Sequence, residues 1–90
     1  MAKDIPAVSD LRRKGIVTDA EISAATDAYI VDPKAGRFAF KSGHSIDVAE
    51  AIEQHPQANK ELAAPGIAEK PKYRRTMVQT AVLMGFPREP

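Results

Sequence analysis

Glycine and proline cut this chain into short pieces, so no regular element runs far before meeting one. Gly15, the Pro33/Gly36 pair, Pro56, the Pro65/Gly66 pair and Gly85 with Pro87 each mark a stop or a turn. Such punctuation predicts several short helices and a tight hairpin. A core must then be assembled from small elements, and the material for it is scarce. Val, Ile, Leu and Phe number 19 of 90 residues, while alanine alone numbers 15. A chain of this length buries only about 60–65% of its unfolded surface, so the margin of stability is thin and support from a partner is expected. There is no cysteine, which rules out disulfide staples and cysteine-rich zinc sites.

The first helix is expected from Ser9 to Gly15. The second has capping-box spacing at Thr18 and Glu21, with Asp19 at the positive end of its dipole, and a face that continues through Ile22 and Ala25. The stretch "YIVDPKAGRFAF" then reads as a hairpin with strands near 29–32 and 37–41. Asp32 and Pro33 supply the first corner and Gly36 the left-handed residue. Pairing Asp32 with Arg37 places Tyr29, Val31, Phe38 and Phe40 on one face. "KSGHSIDVAEAIEQHP" predicts a third helix capped by Ser45, with Ile46, Ala49 and Ile52 inward, and residues 56–63 could add two turns. A last helix runs from about Pro71 to Met84, with Tyr73, Met77, Ala81 and Met84 on one stripe. The expected fold is α+β, about four short helices around a single β-hairpin. Its divisions are an extended tail (1–8), a helix-helix-hairpin-helix core (9–64), a linker (65–71), a C-terminal helix (72–85) and a second tail (86–90).

Within the first two helices, "LRRKGIVTDAEI" locally resembles the helical hairpin of SHOCT-type domains, which carry a leucine, a glycine, an Ile/Val-Thr pair and an acidic first turn. The likeness covers about a dozen residues and ends at "SAATDAYIV".

Chemistry-bearing residues are sparse. His44 and His55, eleven apart, are not on one helical face as a metal pair would be, and they read as residues at a helix start and a helix end. "KSGHS" lies where backbone N–H groups could hold an anion, but its glycine and lysine are in the wrong order for a phosphate-cradling loop. The carboxylates fall at helix starts and polar faces, so no catalytic, cofactor or metal residue is expected and the protein reads as a non-enzyme. No apolar stretch approaches a membrane span, and the expected setting is the cytoplasm, or a virion if the chain is phage-encoded.

Charge is the informative feature. Residues 46–69 hold five acids and one cation, whereas residues 70–90 hold five cations and one acid. "KPKYRRT" crowds Lys70, Lys72, Arg74 and Arg75 at the positive end of the last helix, where something acidic must offset them: Glu50, Glu53, Glu61 or Glu69 of this chain, or a partner. The expected function is a small protein-interaction module, an accessory subunit of a bacterial or phage assembly or a small inhibitor, docking on a larger protein or a second copy. Its expected contacts are Lys70, Lys72, Tyr73, Arg74, Arg75 and Phe86, with Arg12 and Arg13 as a second patch. The alternative is a nucleic-acid-binding regulator in the winged-helix order, using Arg12, Arg13, Lys14, Lys34, Arg37 and Lys41. Against it, the helix that would enter the groove carries Asp19, Glu21 and Asp27 and no Lys, Arg, Asn or Gln, the four residues that chiefly read base edges.

Overall fold

Four of the five α-helices begin where a side chain satisfies a free backbone N–H. In a computed structural model, which describes residues 6–34 and 36–89, α1 (Val8–Arg13) starts at an Ala7 cap. Ser9 is therefore inside the helix, because Asp10 Oδ2 accepts the Ala7 N–H at 3.0 Å and fixes the earlier start. Gly15 ends the segment with φ of 75°, as its position predicts. The expected capping box opens α2 (Asp19–Val31): Thr18 Oγ1 accepts the Glu21 N–H, and Glu21 Oε1 accepts the Thr18 N–H, both at 3.2 Å. Ile22, Ala25 and Thr26 are its buried side, and Thr26 Oγ1 donates to the Ile22 carbonyl at 2.9 Å.

The α+β class with one hairpin is as expected, but the hairpin is built from different residues. Tyr29, Ile30 and Val31 form the last turn of α2, not a strand. Tyr29 lies four residues after Ala25 and seven after Ile22, so it extends the helical face, and the helix stops only at Asp32, before Pro33. The four-residue face of Tyr29, Val31, Phe38 and Phe40 does not exist; Val31 is 84% exposed. The pair that forms is β1 (Arg37–Ala39) with β2 (Ser45–Asp47), antiparallel, with Arg37 opposite Asp47, Phe38 opposite Ile46 and Ala39 opposite Ser45. "KSGH" is its loop. Phe40 donates its N–H to the His44 carbonyl at 2.8 Å, and Gly43, at φ of 93°, closes the turn by donating to the Phe40 carbonyl at 3.0 Å.

Ser45 is thus a strand residue, and the cap of α3 (Val48–Glu53) is Asp47, whose Oδ1 accepts the Glu50 N–H at 3.1 Å. His55, just past the end of α3, also caps the start of α4 (Pro56–Leu62): its Nδ1 accepts the Ala58 N–H at 3.1 Å. A 3-10 turn (Ile67–Glu69) leads to α5 (Pro71–Met84), whose ends match the expectation. The far edge of β2 is closed by the C-terminal segment: Ser45 and Arg88 exchange both backbone hydrogen bonds, at 3.1 and 2.7 Å.

Helices of six or seven residues are not stable alone, and here each packs on α5. Val78, Ala81 and Val82 of α5 are fully buried against Val8, Ile22, Ile46, Val48 and Ile52, so the last helix is the centre of the core. Phe40 belongs to the same cluster, and the partly buried Phe38 packs against it edge to face, centroids 5.6 Å apart. Residues 1–5, Ala35 and Pro90 lie outside the described residues, and with them most of the expected N-terminal tail, the tip of the expected turn and the last tail residue.

Candidate functional site

The basic cluster divides into inward and outward members. Arg75 reaches across to α2, donating from Nε to Asp27 Oδ1 at 2.9 Å and from Nη2 to Ser23 Oγ at 2.5 Å. Its acid is Asp27, 48 residues away, and not one of the four glutamates of the acidic segment. Lys70 and Lys72 are exposed, while Arg74 is half-buried. Tyr73 is 40% exposed, and loss of water around it, with the nearby Glu61 carboxylate, pushes its hydroxyl above the usual phenol range.

Glu61, Lys70, Lys72 and Tyr73 border an open cleft of about 580 Å³ between the end of α4 and the start of α5. A second cleft, about 370 Å³, lies at the opposite end of the same helix pair. Ala51 and Gly85 lie within it, flanked by His55, Pro56, Met84 and Phe86. The two helices therefore run antiparallel, and one α4/α5 face carries a charged aromatic site at one end and an apolar one at the other. Tyr73 and Met84 are eleven residues apart, about 17 Å along the helix. Met84 and Phe86 are 58% and 59% exposed, the most exposed large apolar side chains after Val31 among the described residues. Phe86, an expected contact, is exposed just past the helix-ending glycine. Met84 was missed, since its spacing put it on the buried stripe; α5 ends just there and leaves it no neighbour to cover it.

The other candidate cations are dispersed or engaged. Arg12 is held by Asp19 and Arg13 by Asp10. The Arg12 guanidinium holds the Asp19 carboxyl below the usual range, and the Ala7 N–H, with Arg13, does the same for Asp10. Lys14, Lys34, Arg37 and Lys41 are exposed. Arg12 through Asp19 and Lys41 through Glu21 both meet the first turn of α2, whereas Lys34 follows its other end. That helix is 13 residues, about 20 Å, long, so Lys34 stands apart from Arg12 and Lys41.

Among the described residues no group of three or more His, Asp or Glu is placed to hold a metal ion, and no helix is long and apolar enough to cross a membrane. No family model, curated protein or solved structure matches the chain.

Proposed function

We propose that this protein is a small interaction module that docks on a larger protein through the α4/α5 face. The observation that carries the reading is the pair Met84 and Phe86, left exposed beside an apolar cleft by a fold with few large apolar side chains to spare. Scattered exposed apolar residues need no explanation, but two adjoining ones around a concavity make a docking surface. Removing the remaining exposed area of both from water is worth about 2–4 kcal/mol, enough to raise affinity some 30-fold or more. Lys70, Lys72 and Tyr73, about 17 Å away on the same face, supply polar contacts to an acidic surface of that partner. Arg75 serves the fold and not the partner.

Affinity capture from the cell's own extract tests this, run in parallel with a Met84→Ser/Phe86→Ser chain of matched stability. The wild type retains a stoichiometric protein and the double variant loses it. Equal capture by both, or a wild-type chain that recovers nothing, overturns the reading.

A further inference from the structure

A second surface, formed by other elements and independent of the α4/α5 face, follows from the hydrogen-bond phase of the hairpin. In an antiparallel pair, bonded and non-bonded positions alternate. Phe40 and His44 are bonded at 2.8 Å, so Phe38 and Ile46 are too, and Ala39/Ser45 and Arg37/Asp47 are positions whose backbone groups point away from the partner strand. Ser45 shows this directly, since its N–H and C=O both turn to Arg88. On the opposite edge the N–H and C=O groups of Arg37 and Ala39 point off β1, and among the described residues nothing pairs with them. Lys41, the next outward position, gives its N–H to Glu21 Oε2 at 2.8 Å, which closes that end of the edge.

Beside this edge lies a groove of about 330 Å³ between β1 and α2, bordered by Ala20, Ala24, Phe38 and Ala39, with Glu21 and Lys41 at its closed end. The two alanines, one helical turn apart, keep α2 free of bulk where the side chains of an added strand would rest. Exposed sheet edges with such a wall take extended peptides by strand addition, with backbone bonds for affinity and alternate side chains for specificity.

We propose that β1 binds an extended strand of a partner protein reading acidic, apolar, any, apolar, acidic. Its backbone pairs with Arg37 and Ala39. Its two apolar side chains, opposite Phe38 and Phe40, lie over Ala20 and Ala24, and its acidic ones meet Arg37 and Lys41. Arg37 faces Asp47 across the hairpin but forms no ion pair with it among the described residues. A second copy of this chain is the poorer occupant, because antiparallel pairing centred on Ala39 sets Arg37 of one copy against Lys41 of the other, and like charges placed opposite each other destabilise a strand pair.

The test is an amide NMR titration of the full 90-residue chain with the blocked peptide Glu-Val-Ser-Val-Glu. Peak shifts and slowed amide exchange are expected at Arg37 and Ala39, with residues 84–86 unmoved. The Lys-Val-Ser-Val-Lys peptide binds at least about tenfold more weakly. Ala24→Gln, which fills the groove from an exposed helical position, weakens the acidic peptide by a similar factor. No shift at residues 37–41 with millimolar peptide, equal binding of the lysine peptide, or unchanged binding by Ala24→Gln overturns the proposal. So does protection of Ala39 that grows with protein concentration in the absence of peptide, which would give the edge to a second copy.

Discussion

Alanine in place of Gly85 probes the point where the C-terminal segment, β2, α1 and α3 meet. The backbone there, φ −75° and ψ 161°, suits any residue, and Gly→Ala at a compatible site gains about 0.4–1 kcal/mol by restricting the unfolded chain. Packing opposes that gain. A Cβ would sit 2.8 Å from Ile46 Cδ1, 3.0 Å from Ala51 Cβ and 3.1 Å from the Ala81 carbonyl oxygen. Ile46 is buried, and the other two atoms are carried by helix backbones. Overpacking of this kind costs about 1–3 kcal/mol, so a net loss of about 1–2 kcal/mol is expected. For a domain of this size that lowers Tm by about 5–15 °C. The Gly85 carbonyl also accepts the Val8 N–H at 3.0 Å, so its displacement loosens the start of α1. Urea and thermal unfolding followed by circular dichroism give the number. Ile46→Val removes the clashing Cδ1; alone it costs about 0.5–1.5 kcal/mol, and on the Gly85→Ala background it should cost less. A Gly85→Ala chain as stable as wild type, or strictly additive variants, would refute the packing described here.

Three further outcomes follow from the same contacts. Thr18→Ala removes the α2 cap and should cost about 1 kcal/mol in urea unfolding. Arg75→Glu should destabilise the fold by opposing Asp27, with recovery in Arg75→Glu/Asp27→Lys, whereas Lys72→Glu should stay within about 0.5 kcal/mol of wild type in thermal melts. The Lys41 N–H, followed by the Thr18 contacts, lowers the Glu21 carboxyl from its usual range. A carboxylate depressed in the folded state stabilises fully above the unfolded-chain value and loses that contribution as pH falls through the folded one. Stability should therefore decline through and below the ordinary glutamate range, and Glu21→Gln should flatten that acid limb in melts taken across pH.

What the sequence revealed was local. The Thr18/Glu21 box, the stop at Gly15 and both ends of α5 depend on residues within a few positions of one another. Tyr29–Val31 misled because three apolar residues before a proline fit a strand or a last helical turn equally well, and the face begun at Ile22 decided for the helix. Ser45–Asp47 could not be read as a strand: it contains one apolar residue, and its pairing is fixed by Phe38, Phe40 and the backbone of Arg88, all distant in the chain. The same separation hid the Asp27–Arg75 pair. For the candidate site, Tyr73, Phe86 and the exposed lysines were legible from charge and punctuation. The cleft beneath Met84 arises only when α3 and α4 fold back on α5.

The central claim, docking through the α4/α5 face, is tested most directly by amide hydrogen exchange of the full chain alone and bound to its captured partner. Exchange should slow at residues 51–57 and 82–86 on binding. Unchanged exchange at 82–86 in a formed complex would contradict it.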